Sequence, residues 1–155
     1  MTEQEIKRLA NEVVRNLGSG ITLDLALALT EKVKDKAAEM GVNVVVAVSN
    51  AAGNPLSVQC MDDSYIASYD VALNKAYTVV ALKLPTTTLK ELAQPGGSLY
   101  GIQFTNGGKI VIFGGGVPLY SKSGKIIGGL GVSGGSEAED TALAEYGGKI
   151  FASLI

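Results

Sequence analysis

A glycine-rich segment, residues 107–135, constrains the fold of this chain more than any other feature of its sequence. The segment reads GGKIVIFGGGVPLYSKSGKIIGGLGVSGG. Its turn residues interrupt three β-like stretches, at 109–113, 117–121 and 126–133. Ser123-Gly124 is typical of a tight hairpin turn. The glycines at 114–116 allow the backbone to approach a ligand or another segment closely. The segment therefore predicts consecutive antiparallel strands.

Hydrophobic periodicity predicts helices and one further hairpin in the rest of the chain. Thr2 and Glu5 form a capping-box pattern at the start of an amphipathic helix over 2–17. The further predicted elements are a helix over 22–40, strands at 43–49 and 55–61, a helix over 66–83, one or two helical turns at 86–93, and a helix from Ser136 to about Leu154. Because the strands come as consecutive hairpins, we predict an α+β fold with a five-stranded antiparallel sheet flanked by helices, and not a doubly wound parallel sheet.

The length of the chain, 155 residues, favours one domain. Gly18-Ser19-Gly20 ends the first helix and resembles a short hinge. The predicted organisation is therefore an N-terminal amphipathic helix with its hinge over residues 1–20, followed by one domain over residues 21–155.

The chain contains no histidine and a single cysteine, Cys60. These counts exclude Ser-His-Asp and Cys-His nucleophile systems, histidine-containing zinc sites and an internal disulfide. A net charge of −2, without a basic stripe, argues against nucleic acid as a partner. No apolar run approaches the ~20 residues that span a bilayer, and charged residues from Glu3 onward argue against a secretory signal. We therefore expect a cytoplasmic protein with no membrane span.

The glycines of the third β-like stretch match a nucleotide-binding motif in letters only. Gly129-x-Gly131-x-x-Gly134 fits the dinucleotide fingerprint. However, it follows a hairpin strand and has no acidic residue about 20 positions on in a second strand, so a nucleotide site is disfavoured. Two interpretations of these glycines remain. They either allow close contact between the sheet and a helix or form a wall of a ligand site.

A series of short motifs runs in a defined order through residues 22–153. The motifs are Val48-Ser49-Asn50 with Gly53, Met61-Asp62-Asp63-Ser64, Ser68 with Ala72 and Lys75-Ala76, Pro85-Thr86, Gly114-Gly115-Gly116-Val117-Pro118, Gly124 with Gly128, Gly131-Val132-Ser133-Gly134-Gly135, and Asp140 with Ala144. Their combined order resembles the GlcG/HbpS/PduO-C-terminal family, whose members are often labelled haem-degrading domains. The chain departs from the family at Asn50, where an aspartate is usual.

The resemblance implies a profilin-like antiparallel sheet flanked by helices, and often a homo-oligomer. It implies haem binding in some members and an association with corrinoid-dependent diol metabolism in others. Since histidine is absent, a haem in this chain would be held without a histidine ligand, through a Tyr, Met, Cys, Lys or hydroxyl contact. The expected cofactor-binding residues are Met61, Lys75, Phe113, Gly114, Gly115, Gly116, Pro118, Ser133, Gly134 and Asp140. No catalytic residue is assigned, and no metal ligand is identified.

Two of these residues leave alternatives open. Lys75 lies among small apolar residues of a predicted helix, so we expect it to pair with Asp140 or with Asp62, either in a pocket wall or as a structural ion pair. Met61 and the adjacent Cys60 point to opposite faces of a strand. Each is either a ligand for a soft metal or a packing residue.

The helix over 2–17 lies ahead of the family-like region. It packs on its own domain or docks in the groove of a partner, and it resembles the targeting helices of proteins packaged into bacterial microcompartments. The leading hypothesis is a non-catalytic binding or accessory protein for haem or a corrinoid, cytoplasmic or inside a microcompartment, with a shell protein or enzyme as the partner of residues 2–17. The alternatives are a haem-degrading enzyme and a structural accessory protein without a small ligand.

Overall fold

The computed structural model describes the backbone of residues 1–18 and 20–155, and the side chains of these residues apart from 11 and 14–18. The helices are α1 (Glu3–Gly18), α2 (Leu23–Glu39), α3 (Ile66–Ala81), α4 (Thr86–Leu92) and α5 (Glu137–Leu154). The strands are β1 (Val45–Asn50), β2 (Pro55–Cys60), β3 (Gly116–Tyr120) and β4 (Ile126–Ser133). Two short 3-10 turns, Ile102–Phe104 and Asn106–Gly108, follow α4. The predicted hinge at 18–20 includes Ser19, which lies outside the described residues.

The strands form an antiparallel sheet in the order β2-β1-β4-β3. β1 and β4 therefore occupy its centre, and both faces of β1 are covered. Val44, Val46 and Val48 belong to the main core with α2 and α5, whereas Val45 and Ala47 pack against α3. This division follows from the two-residue period of a strand. It explains why the β1 sequence is a nearly continuous apolar run.

The α+β class is confirmed, but the prediction of a fifth strand at 109–113 is wrong: the described sheet has four strands. We call residues 109–115 the strap. At its last residue, Gly115, the carbonyl accepts from β4, but over 109–114 its described backbone hydrogen bonds go to side chains of helices. The Val111 N–H donates to Thr78 Oγ1 of α3 (3.0 Å), and the Gly114 N–H donates to Glu137 Oε1 of α5 (3.0 Å). The β-branched residues of the strap favour an extended backbone, but only a free strand edge beside it would make it part of a sheet.

Two glycines of β4 let α3 lie directly on the sheet. A Cβ atom at Gly131 would collide with the Ala72 carbonyl oxygen and would lie 2.7 Å from the Ala76 nitrogen. A Cβ atom at Gly129 would lie 2.7 Å from Val79 Cγ2 and would also collide with the α3 backbone. Close contact between sheet and helix is therefore the structural reason for these two glycines.

We predict that Gly131→Ala destabilises the fold by about 1–3 kcal/mol, because backbone atoms of α3 cannot move aside as a flexible side chain would. Gly148→Ala is the matched control. Its Cβ atom would lie 3.5 Å from Val117 Cγ2, an ordinary contact, and alanine favours the helix interior over glycine. Urea unfolding followed by circular dichroism measures both variants, and equal midpoints for the two would contradict the close-contact explanation.

Candidate functional site

A cleft of about 320 Å³ opens where the N-terminal ends of α3 and α5 meet beside the end of β4. It is lined by Tyr65, Ala67, Ser68, Val71, Phe113, Ser133, Gly134, Gly135, Glu137 and Asp140. The α3 side and the strap supply its apolar and aromatic surface. The loop after β4 and the first turn of α5 supply carboxylates and backbone groups. The cleft thus has an apolar wall on one side and a polar wall on the other.

The amine of Lys75 lies beneath this cleft, and the side chain has no solvent exposure. Lys75 Nζ donates to the Val132 carbonyl oxygen (2.7 Å) and to Asp140 Oδ2 (3.4 Å). The centroid of the Phe113 ring lies 5.0 Å from the same nitrogen, within range of a cation–π interaction. Of the two predicted partners, Asp140 is the one that pairs with Lys75. The amine therefore ties together α3, β4, α5 and the strap.

Asp140 is held from a second direction by backbone N–H groups. Its Oδ1 accepts from Gly135 (2.8 Å) and its Oδ2 accepts from Gly134 (3.4 Å). Burial lowers the pKa of Lys75, and the Asp140 carboxylate only partly opposes this. Burial likewise raises the pKa of Asp140, against the effect of Lys75. For both groups the loss of water outweighs the attraction of the partner, so neither charge is well tolerated without the other.

Gly115 leaves the space that the buried amine fills. Its φ of +114° lies in a region that side chains rarely adopt. A Cβ atom there would also lie 2.5 Å from Lys75 Nζ and 3.0 Å from Asp140 Cβ. The carbonyl oxygen of Gly115 accepts from the Val132 N–H (2.8 Å), which fixes the strap to β4. This glycine is therefore required by the ion pair beside it.

A second ion pair lies at the rim of the cleft. Lys90 Nζ of α4 donates to both carboxylate oxygens of Glu137, at 2.9 and 2.7 Å. Hydrogen bonds from Lys90 and from the Gly114 N–H hold the pKa of Glu137 below its ordinary value. Behind the rim, the Gly116 N–H donates to Thr86 Oγ1 (2.9 Å). The strap is thus anchored by Glu137 and Thr78, and Thr86 holds the first residue of β3 directly after it.

The structure brings most of the predicted site residues together, but not all of them. Phe113, Ser133, Gly134 and Asp140 line the cleft, and Lys75 with Gly114, Gly115 and Gly116 lies buried behind it. Met61 packs against the main core, and its sulfur accepts from the Val44 N–H at 3.5 Å. Pro118 lies in the edge strand β3 and lines a separate shallow groove with Pro85 and Tyr120. The geometry therefore does not join Met61 and Pro118 to the cleft.

Tyr65, Lys90 and Thr86 are site residues whose roles the sequence did not indicate. Thr86 belongs to the Pro85-Thr86 motif, which is the one available signal. Lys90 is a lysine on a short helix, 47 positions before its partner, and such a separation leaves no local pattern. Tyr65 precedes α3 as its N-cap residue without a side-chain cap hydrogen bond, so its position looks like an ordinary helix boundary.

The described residues contain no group of three or more Cys, Asp or Glu side chains placed to hold a metal ion. The acidic first turn of α5 has other partners. Glu139 accepts from the Ser136 N–H in a capping box, and Asp140 and Glu137 pair with lysines. In the part of the chain that the structure describes, no helix is long and apolar enough to cross a membrane.

The fold and the cleft define a class of small α+β domains in which helices cover both faces of an antiparallel sheet and a cleft opens at the helix ends. The chain belongs to the family of haem-degrading proteins similar to HbpS, because the model of that family matches residues 21–149.

Individual relatives agree with this assignment. An uncharacterised 15.0 kDa protein from the dhaT-dhaS intergenic region of Citrobacter freundii is 46% identical over 134 residues, which is 86% of this chain and 94% of that protein. The corrinoid adenosyltransferase PduO of Salmonella typhimurium is 40% identical over 117 residues, which is 76% of this chain but 34% of that enzyme. The crystal structure of a PduOC–haem complex superposes with a TM-score of 0.80 at 36% identity, over 84% of this chain and 94% of that one. The chain thus spans about a third of the adenosyltransferase.

We predict that Asp140→Asn destabilises the protein by about 3 kcal/mol near neutral pH, because it leaves a buried ammonium beside a neutral amide. The folded-state pKa of Lys75 then lies further below its value in the unfolded chain. Between these two values the unfolded chain binds more protons, so stability rises with pH. The deficit of the variant should therefore shrink as the pH is raised from neutral towards about 10.

Urea unfolding at several pH values measures this deficit. The control is Glu139→Gln, which changes a partly exposed carboxylate in the same turn and keeps a side chain that can cap the helix. A deficit of Asp140→Asn that is independent of pH, or that equals the deficit of the control, would contradict the coupling to Lys75.

Proposed function

We propose that this chain is an accessory protein that binds a tetrapyrrole, haem or a corrinoid, in the cleft between α3 and α5. The observation that carries the proposal is the form of the cleft, with aromatic side chains of Tyr65 and Phe113 beside an apolar α3 wall. Flat apolar rings pack well against such surfaces. The 36% identity to the chain of the PduOC–haem complex supports the same ligand class.

The residues at the cleft fit a haem that has an oxygen ligand. Tyrosine ligates the iron in some haem proteins, and Tyr65 lines the cleft with 73% of its surface exposed. The two sulfur donors considered above are placed elsewhere, because Met61 packs against the core and Cys60 is exposed at the end of edge strand β2. A bound haem would supply a redox-active iron. The chain itself would supply the Tyr65 phenol, the Phe113 ring and the walls that exclude water.

The pairing of the two carboxylates of the cleft with lysines agrees with a binding role. Asp140 is paired with Lys75 and two N–H groups, and Glu137 is paired with Lys90 and the Gly114 N–H. A general base needs a free acceptor within reach of the proton that it removes. Both carboxylates of the cleft are paired with cations, which favours a binding role over acid–base catalysis by these residues.

Titration of the protein with haemin should shift and sharpen the Soret band, and Tyr65→Phe should weaken the affinity by about ten-fold or more, because a ligand to the iron is lost. Tyr69→Phe is the matched control, since Tyr69 is an exposed tyrosine in the first turns of α3, close to Tyr65 in the chain, but does not line the cleft. A parallel titration with cobalamin, followed in the corrin bands, separates the two ligands.

Absence of a spectral change with both haemin and cobalamin would overturn the proposed function. A haemin complex that Tyr65→Phe and Tyr69→Phe weaken equally would leave tetrapyrrole binding in place and remove Tyr65 as the ligand.

We also propose that α1 docks on a shell protein or enzyme of a bacterial microcompartment. The supporting observation is a solvent-exposed apolar stripe on α1: Ile6, Leu9 and Val13 are 49%, 43% and 50% exposed. Their three- and four-residue spacing places them on one face of the helix, whereas Lys7 pairs with Glu3. A helix with such an apolar stripe is typical of segments that bind in the groove of a partner.

A fluorescent protein fused to residues 1–20 should gather in foci in cells that form these compartments. Replacing Ile6, Leu9 and Val13 with serine should make the signal diffuse, because the apolar contact is lost. The control replaces Lys7 and Glu3 with glutamine and should keep the foci. A diffuse signal from the unaltered fusion would refute docking through α1.

A further inference from the structure

Two lysines are bonded to carboxylates that line the cleft, and they differ in their access to solvent. Lys75 is fully buried and held by Val132 and Asp140. Lys90 lies at the rim with 45% of its side chain exposed, and its partner Glu137 is 38% exposed. A carboxylate that arrives from solvent can therefore reach Lys90, whereas Lys75 is closed to it.

The pair of Lys90 and Glu137 can exchange partners at small cost. Glu137 Oε1 also accepts from the Gly114 N–H at 3.0 Å, so it keeps a hydrogen bond if Lys90 turns away. Half-exposed ion pairs contribute little net stability because water competes for both charges. Lys90 is thus a cation at the mouth of the cleft whose present partner is replaceable.

We propose that Lys90 binds a carboxylate substituent of the cleft ligand in exchange for Glu137. This inference rests on the proposed function and names the ligand class more closely, as a ring that bears free carboxylates at its edge. In this exchange the ion pair of Lys90 with Glu137 is replaced by an ion pair of Lys90 with the ligand carboxylate. Glu137 remains on the strap through Gly114, and it acts as an internal competitor that sets the affinity for acidic ligands.

The test compares two metal-free porphyrins, protoporphyrin IX and its dimethyl ester. The ester has the same ring but no free carboxylate. Binding is followed by porphyrin fluorescence below the concentration at which the porphyrins aggregate. The unaltered protein should prefer the free acid, and Lys90→Met should reduce that preference by about 3- to 10-fold, the range of a half-exposed charge-assisted pair. Glu137→Gln should strengthen binding of the free acid by about 2- to 5-fold, because it removes the competing charge and keeps an acceptor for the Gly114 N–H.

Lys125→Met is the control, since Lys125 is exposed in the turn at the opposite end of β4 from the cleft. Equal affinity of the unaltered protein for acid and ester would overturn the role of Lys90 while leaving ring binding intact. The role of Lys90 would also be overturned if Lys90→Met kept the full preference for the free acid over the ester. It would likewise be overturned if Glu137→Gln bound the free acid more weakly than the unaltered protein. Failure of both porphyrins, haemin and cobalamin to bind would overturn the proposed function itself. If Lys90→Met does not fold, the comparison of acid and ester in the unaltered protein decides.

Discussion

The buried amine of Lys75 is the group on which the arrangement of the cleft depends. A lysine without solvent exposure needs partners for its charge and its N–H groups, and here the Val132 carbonyl, Asp140 and the Phe113 ring provide them. These partners come from β4, α5 and the strap, so the requirement of one charge fixes the relative positions of all three against α3. A purely apolar contact has no direction and would allow these elements to slide.

The glycines around the amine follow from the same requirement. Lys75 can reach Val132 only if α3 lies almost in contact with β4, and Gly131 and Gly129 make that distance possible. Gly115 leaves room for the amine itself. The glycine-rich character of the segment therefore reflects the close packing of a helix on a sheet around a buried charge. Of the glycines in residues 107–135, Gly134 and Gly135 are the two that line the cleft.

Much of the fold could be predicted from periodicity, because helix and strand patterns are local. The predicted helix over 66–83 forms as Ile66–Ala81, and the predicted strand 126–133 forms as Ile126–Ser133. The strap could not be predicted, since its partners Thr78 and Glu137 are more than 20 positions away in the chain. For the same reason the sequence left Asp62 and Asp140 as equal partners for Lys75, and it gave no sign of the pairing of Lys90 with Glu137. Long-range contacts of single side chains leave no periodic signal.

The absence of histidine changes how a ligand would be selected by a cleft of this kind. A histidine ligand would make the iron the main source of affinity, whereas a phenol must lose its proton to become a strong ligand. The substituents at the edge of the ring would therefore contribute more to the selectivity for the ligand. Glu137 keeps a negative charge at that edge near neutral pH, since Lys90 and Gly114 stabilise its ionised form. An acidic ligand must displace that charge from Lys90, whereas a neutral amide-bearing ring need not. In the proposed binding mode, the rim pair of Lys90 and Glu137 would therefore help to distinguish a haem, which bears free carboxylates, from a ring that bears neutral amides.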